Sequence, residues 1–241
     1  MIHLAYIQNT KPNRKAQLLL ALFFTLFTIV ALGIDSVFFT NYYFDARPIT
    51  NLLAIGYFSL LFYVSDSRLK KLMLVMVVLS YIGELLFCKL LGMYAYRTPA
   101  IPLYVPFGHA IVYASGFIMS QTQCAIRHTN PLQRFFAVFF IVLFATVGFF
   151  YNDWFSLVFG LLFFILLKRK RWQNLYYFIA LCVIFIELVG TYFECWTWVP
   201  KTFGLIPAAN PPMGAVFFYA GGDVLLAKIV DIWDDRKIKN K

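Results

Sequence analysis

Ionisable side chains lie inside apolar stretches of this sequence, where they could perform acid/base chemistry. An ionisable group at the centre of a membrane-spanning helix costs ~2.5–3.5 kcal/mol even on lenient insertion scales, so each one needs a structural or functional reason. Five are acids, one is a lysine and one is a histidine: Asp35, Glu84, Lys89, His109, Glu187, Glu194 and Asp223. In dry surroundings we expect some of these carboxyl groups to be protonated and able to donate a proton.

We predict a catalytic set that consists of Glu84, Glu187, His109, Glu194 and Asp35. Glu84 and Glu187 would act as acid and base, and His109 would relay protons, because imidazole exchanges protons near neutral pH. Glu194 follows Glu187 by seven residues, which is nearly two helical turns, so we expect both to face inward from one helix. Glu194 and Asp35 would support the pair. The alternative is that these carboxylates only brace neighbouring helices through hydrogen bonds.

Motifs of other catalytic classes are absent from the sequence. It contains no Walker loop, G-x-S-x-G, kinase signature or G-x-G-x-x-G, which argues against ATP-driven transport and serine hydrolysis. A single histidine among carboxylates lacks the spacing of H-E-x-x-H or a comparable metal motif. We therefore predict neither a metal ion nor an organic cofactor.

The composition places these residues in a membrane. Of the 241 residues, 61% are hydrophobic and 13% are charged, whereas roughly 25% are charged in an average soluble domain. The mean hydropathy is +0.73, and the apolar residues form long blocks, which excludes a soluble globular protein and predicts an all-α, polytopic transmembrane bundle. Eight blocks are interpreted as spans: Leu18–Phe39, Ile49–Val64, Leu72–Ala95, Val105–Met119, Phe135–Phe150, Trp154–Leu167, Leu175–Cys195 and Met213–Ile229.

The basic residues predict the orientation of these spans. Of the 21 Lys and Arg, 17 fall in segments on one side, Arg47, Arg97 and Lys201 fall on the other, and Lys89 lies within a span. The positive-inside rule then places both termini in the cytoplasm, and we expect a bacterial inner-membrane protein. The net charge of +10 is thus a topology signal that also attracts anionic membrane lipids. No nucleic-acid partner is predicted.

The fourth and eighth spans share a pattern that indicates an internal duplication. The pattern is P-x-G-x-x-x-x-Y-A-x-G, and it begins at Pro106 and again at Pro212. We therefore predict two four-helix repeats, residues 1–125 and 126–241, within a single membrane domain. Because each repeat has an even number of spans, the repeats should be parallel and related by an axis along the membrane normal. The preceding spans agree, since they carry Glu84 before Tyr94-Ala-Tyr96 and Glu187 before Trp196-Thr-Trp198.

The segment after Glu84 carries a family resemblance. Glu84 is followed by Gly92-Met-Tyr94-Ala-Tyr96 and then by Ile101-Pro102-Leu103-Tyr104-Val105-Pro106. This order of a Glu, a G-x-Y-x-Y and a V-P-L-x-V-P-like segment resembles small integral-membrane carotenoid-biosynthesis proteins, namely carotenoid hydratases and membrane lycopene cyclases. The resemblance implies that Glu84 is an acid that protonates a polyene.

Three functions remain open at this point. The first is an intramembrane enzyme that performs acid/base chemistry on an apolar lipid or isoprenoid, since protonation of an alkene suits a carboxylic acid in a dry cavity. The second is a proton-coupled or lipid-handling transporter whose repeats enclose a central cavity. The third is a non-catalytic membrane subunit. Membrane lipids and an apolar small molecule are the expected partners.

Overall fold

The computed structural model describes residues 14–171 and 173–239, and it is built almost entirely of helices. Lys11 and Lys241, two of the 17 basic residues that predict the orientation of the spans, lie outside the described residues. The prediction of an all-α architecture is confirmed. The helices are α1 (Arg14–Ile34), α2 (Val37–Tyr42), α3 (Arg47–Val64), α4 (Ser67–Glu84), α5 (Tyr104–Ser120), α6 (Gln123–Arg127), α7 (Thr129–Phe150), α8 (Trp154–Arg169), α9 (Asn174–Tyr192) and α10 (Val216–Lys239).

Six helical segments in the described part of the chain are long and apolar enough to cross a membrane: Arg14–Ile34, Arg47–Val64, Ser67–Leu90, Thr129–Phe150, Asn174–Tyr192 and Met213–Asp235. With 17 and 16 residues, α5 and α8 are shorter than these six. Large apolar side chains also lie on the outside, as at Leu52 (70% exposed) and Leu161 (64% exposed). Lipid solvates such side chains well, so these are the features of a membrane-embedded helical protein.

Local hydrogen bonds explain where several helices begin. The side chain of Asp66 accepts hydrogen bonds from the backbone N–H groups of Arg68 and Leu69, both at 2.9 Å, and so caps α4. Asp153 caps α8 in the same way through the N–H of Ser156, at 2.9 Å. Burial raises the pKa of the Asp153 carboxyl.

Three of the predicted spans end earlier than expected. The first predicted span breaks at Asp35 and Ser36, between α1 and α2. The third was predicted to reach Ala95, yet α4 passes into a π-helical segment, Leu85–Leu90, and stops there. The seventh was predicted to reach Cys195, yet α9 ends at Tyr192.

The cause of the early ends in the third and seventh spans is a short antiparallel pairing between distant segments. Strand β1 (Tyr94–Tyr96) pairs with β2 (Trp196–Trp198), with Ala95 opposite Thr197 at the centre. We call this pair the aromatic ribbon. Alternate residues of a strand face opposite sides, so its four aromatic side chains share the face toward the bundle, whereas Ala95 and Thr197 are exposed. A second small pair, β3 (Lys201–Thr202) and β4 (Ile206–Pro207), follows it.

Helix α5 lies at the centre of the bundle and packs against α1, α3, α4 and α9, while α10 packs against α4, α8 and α9. A Cβ atom at Gly116 would lie 2.9 Å from the Ile179 backbone, so the glycine lets α5 and α9 approach closely. At the end of the bundle away from the aromatic ribbon, Arg68 pairs with Asp231 at 2.8 Å, and Lys71 pairs with Asp234. These pairs fix α4 to α10.

Candidate functional site

Glu84 is the last residue of α4 and is held by three side chains. It is 4% exposed. Its Oε2 accepts hydrogen bonds from the hydroxyls of Tyr94 (2.8 Å) and Tyr96 (2.7 Å), and its Oε1 lies 3.1 Å from Nε2 of His109 on α5. Because Tyr94 and Tyr96 alternate along β1, both hydroxyls reach the same oxygen. The π-helical segment that begins directly after Glu84 is a rare geometry that is frequent at functional sites.

Glu187 on α9 is held in a matching way by different donors. It is 5% exposed. Its Oε2 accepts hydrogen bonds from the indole Nε1 atoms of Trp196 (2.9 Å) and Trp198 (3.0 Å) on β2. Its Oε1 accepts the hydroxyl of Tyr219 on α10, at 3.0 Å. A Cβ at Gly190 would lie 2.0 Å from the Trp196 ring, so only glycine leaves room for this indole.

Two rings connect the carboxylates. The imidazole of His109 stacks on the ring of Tyr219, with centroids 5.1 Å apart and planes 10° from parallel. His109 therefore contacts Glu84 by a hydrogen bond and the partner of Glu187 by stacking. The structure thus brings together Glu84, His109 and Glu187, three of the five residues of the predicted catalytic set.

A cavity with two lobes surrounds these groups. Lobe A, with a volume of about 110 Å³, lies among α4, α5, α9 and α10 and extends to Asp223. Lobe B, with a volume of about 70 Å³, lies among α1, α3, α5, α9 and the aromatic ribbon. The lobes share one set of lining residues, which we call the waist: Glu84, Tyr94, His109, Val112, Glu187, Trp198 and Tyr219.

The donors decide where a proton can sit. An indole N–H only donates, whereas a tyrosine hydroxyl or a neutral imidazole can also accept. Oε2 of Glu187 is therefore fixed as an acceptor, and any proton on this residue must lie on Oε1, beside Tyr219. Glu84 has partners that can turn to accept a proton from it. The arrangement can hold one carboxyl as an acid and the other as a base.

Asp35 lies outside the waist. It is 1% exposed, and it pairs with Arg97 at 2.8 Å and accepts the hydroxyl of Tyr104 at 2.8 Å. Arg97 also binds Asp45 at 2.9 Å, and this hydrogen bond is the main cause that lowers the pKa of Asp45. Since Asp35 already has a charged partner, it needs no ligand. It fixes Tyr104, which lines lobe B.

The predicted placement of Glu194 is wrong. Because α9 ends at Tyr192, Glu194 lies in the turn before β2, with a left-handed φ of 57°. Its side chain is exposed and does not share the inward face of Glu187. Lys89 is also exposed, and its Nζ donates to the carbonyl of Pro99 rather than to a carboxylate.

The predicted catalytic set contains none of the ribbon aromatics, and it also leaves out Tyr219 and Asp223. The signal for the ribbon was present, since two aromatic residues at alternate positions follow each glutamate. That spacing places both side chains on one face of a strand. For Tyr219, the repeated P-x-G-x-x-x-x-Y-A-x-G pattern was the available signal.

Comparison with known proteins gives no relative. No protein-family model matches the chain, and neither a curated protein nor a solved structure matches it.

Proposed function

We propose that this protein is an integral-membrane enzyme that performs acid/base chemistry on an apolar lipid or isoprenoid. The observation that carries the proposal is the waist, where two buried carboxylates and an imidazole line one largely apolar cavity. Pairs of titratable groups held in different environments are the usual arrangement for an acid and a base at one pH.

Charge balance supports a cluster that is poised for proton transfer. Two protons shared among Glu84, His109 and Glu187 give no net charge, which suits the interior of a bilayer. With two protons, one neutral form has Glu84 protonated, His109 cationic and Glu187 ionised. The donor-only indoles favour this form because they stabilise a charged Glu187. Glu84 is then the acid and Glu187 the base.

The proposed reaction is a proton transfer to and from a carbon–carbon double bond. The Glu84 O–H bond breaks as a C–H bond forms at one alkene carbon, which leaves a carbocation at the other. The ring faces of Tyr94 and Trp198 at the waist can stabilise this cation. Glu187 Oε1 then removes a proton from a neighbouring carbon, and a double bond in a new position remains. His109, which lies 3.1 Å from Glu84, gives its proton to Glu84. Glu187 releases the proton that it gained to solvent and His109 takes one up from solvent, so nothing is consumed.

The family resemblance of the Glu84 segment to carotenoid hydratases and membrane lycopene cyclases agrees with this chemistry. The resemblance and the proposed reaction both imply an acid that protonates a polyene. In the proposal Asp35 is a positioning residue, because it holds Arg97 and Tyr104 rather than the substrate. Glu194 has no part in the reaction, since its side chain is exposed away from the waist.

We further propose eight spans in two parallel four-helix repeats, with α5 and α8 counted as short spans. Several observations support a duplication. The ribbon pairs residue for residue about its central Ala95–Thr197 pair, and the packing of α5 on α9 has a counterpart in that of α10 on α4. Tyr94 follows Glu84 by ten residues and Trp196 follows Glu187 by nine, and the π-helical segment can absorb the extra residue.

The orientation is part of the same proposal. The positive-inside rule places both termini in the cytoplasm of a bacterial inner membrane and the aromatic ribbon toward the outer face. The acids would then lie in the outer half of the bilayer.

Substitution of each carboxylate tests the proposed function. Cells that make isoprenoids would express the wild type, Glu84→Gln, Glu187→Gln and the matched control Glu194→Gln, and their lipid extracts would be compared by mass spectrometry. We expect a new product with the wild type and with Glu194→Gln. Loss of an acid or base typically lowers turnover ~10²–10⁴-fold, so the Glu84 and Glu187 variants should yield little product at equal protein level.

Three other outcomes would contradict the proposal. A changed distribution of existing lipids, without a new species, would indicate a transporter. Loss of the folded protein in both buried variants, without any product from the wild type, would indicate carboxylates that only brace helices. Equal product from Glu84→Gln and Glu194→Gln would exclude Glu84 as the acid.

A further inference from the structure

The acid/base chemistry proposed above leaves one acidic side chain in lobe A unused. Asp223 is 4% exposed and lines lobe A. Its Oδ2 is enclosed by protein atoms and has no hydrogen-bond partner among the described residues. Buried polar groups are almost always hydrogen-bonded, and leaving one unpaired is unfavourable. Because Asp223 also lines lobe A, a ligand in that lobe can bond the carboxyl group that the protein leaves unpaired.

The surroundings of Asp223 favour a neutral carboxyl group. Among the described residues, no Lys, Arg or His forms an ion pair with it. Two cations of α4 that face α10 are paired with other acids, Arg68 with Asp231 and Lys71 with Asp234. The titratable groups that interact with Asp223 from the neighbouring helices are Tyr113 and Tyr176. An ionised Asp223 would be an unpaired buried charge, which is far more costly than a neutral acid.

Asp223 has a fixed place relative to the waist. It follows Tyr219 by four residues on α10, so the two lie about 6 Å apart along the helix axis. A ligand that reacts at Glu84 and Glu187 would therefore carry its polar group about one helical turn from the reacting carbons.

Lobe B differs from lobe A in this respect. Its aromatic polar groups are already bonded within the protein: Tyr96 to Glu84, Tyr104 to Asp35 and Trp196 to Glu187. These groups have no free donor for a ligand. The aromatic wall of lobe B suits a hydrocarbon chain, whereas lobe A contains the unpaired carboxyl group of Asp223.

We propose that Asp223 binds the hydroxyl group of a neutral isoprenoid or lipid alcohol in lobe A, whose hydrocarbon chain passes through the waist into lobe B. A neutral carboxyl and a hydroxyl each offer one donor together with acceptor lone pairs, so they can satisfy one another. This inference names the substrate class of the proposed function. The statement that the bound alcohol reacts rests on that function. The binding itself needs no turnover.

Competition binding with defined probes tests the inference. The purified full chain in phosphatidylcholine nanodiscs would bind radiolabelled farnesol, with empty nanodiscs as background, and unlabelled farnesol, farnesene and farnesylamine would compete. One net hydrogen bond contributes ~0.5–1.5 kcal/mol, which is about a twofold to tenfold difference in Kd. We expect the wild type to prefer farnesol over farnesene by that factor, and to prefer farnesol over farnesylamine.

Variants at and beside Asp223 locate the contact. Asp223→Asn keeps a hydrogen-bonding group and should retain the preference for farnesol, whereas Asp223→Leu should bind farnesol and farnesene equally. Asp231→Asn, on the same helix but outside the cavity, should behave as the wild type. Gly222 lines lobe A and has open space beside it, so Gly222→Val should weaken both probes, and Gly221→Val, outside the lining, should weaken neither.

Two results would overturn the inference. Equal affinity of the wild type for farnesol and farnesene would remove the hydroxyl contact. A preference for farnesylamine that Asp223→Asn abolishes would identify a carboxylate that binds a cation instead. Glu84→Gln separates this inference from the proposed function, because it should lose product formation yet keep the preference for farnesol. Normal turnover by that variant, with the preference intact, would contradict only the proposed function.

Discussion

The Glu84 and Glu187 clusters share one plan and differ in their donors. Each carboxylate accepts two hydrogen bonds on Oε2 from the aromatic ribbon and has one partner on Oε1 from a helix. Around Glu84 the partners are two tyrosines and a histidine, all of which can also accept a proton. Around Glu187 two of the three are indoles, which only donate.

Under the proposed function, this difference explains how one scaffold would produce an acid and a base. Both carboxylates accept two hydrogen bonds from the same ribbon, so a difference in their chemistry would follow from the side chains that donate these bonds. Partners that can reverse their hydrogen bonds allow Glu84 to carry a proton and release it. Donor-only partners stabilise the charged form of Glu187. Substitutions that change one cluster and leave the other intact should expose this contrast.

The largest effect is expected at His109, because the Glu84 cluster contains this imidazole and the Glu187 cluster contains no imidazole. His109→Gln keeps an N–H donor near Glu84 but cannot carry the extra proton of an imidazolium. We expect product formation to fall ~10²-fold or more, with little change in thermal stability. His128→Gln is the matched control, because His128 is exposed and bonds the Cys124 carbonyl at 3.0 Å. Equal activity of the two variants would contradict a role for His109 as a proton relay.

The next largest effect is expected at Gly190, which leaves room for the indole of Trp196. Gly190→Ala places a Cβ within 2.0 Å of the Trp196 ring, so the ring must leave Glu187 or the helix must shift. Overpacking of this kind costs ~1–3 kcal/mol, and the melting temperature in detergent should fall accordingly. Gly221→Ala is the control, since a Cβ there meets no atom within 4 Å. Identical melting temperatures for the two variants would contradict the tight fit at Trp196.

A smaller effect separates the two carboxylates directly. Tyr219→Phe and Tyr94→Phe each remove one hydroxyl from a carboxylate. Among the described residues, Tyr219 is the only hydrogen-bond partner of Oε1 of Glu187, so its loss should cost ~1–3 kcal/mol, the penalty for an unpaired buried polar atom. Tyr94 shares Oε2 of Glu84 with Tyr96, so its loss should cost only ~0.5–1.5 kcal/mol. Thermal unfolding of both variants in the same detergent measures the difference, and a reversed order would contradict the hydrogen-bond assignment.

The sequence was sufficient for the helical architecture and for three residues of the site. Charged side chains within long apolar blocks are rare, so Glu84, His109 and Glu187 could be singled out before any contact was known. These features depend on local composition and period, which a sequence displays directly.

Features that depend on distant pairing could not be predicted in this way. The alternate aromatic residues Tyr94 and Tyr96 indicate which side chains share a face, but three residues cannot identify the partner strand, which lies about one hundred residues away. The same pairing ends α9 at Tyr192, where the chain carries neither glycine nor proline to signal a stop. For this reason the helical spacing placed Glu194 on the wrong surface. The unpaired oxygen of Asp223 depends on the arrangement of several helices and has no local signal.

Infrared spectroscopy of the carboxyl groups tests the central claim, that Glu84 is protonated while Glu187 is ionised. A protonated carboxyl has a C=O band that a carboxylate lacks, so spectra of the wild type, Glu84→Gln, Glu187→Gln and Glu194→Gln can be compared at neutral pH in an Asp223→Asn background. We predict that Glu84→Gln alone loses a protonated-carboxyl band. Loss of that band in Glu187→Gln, with its retention in Glu84→Gln, would contradict the account.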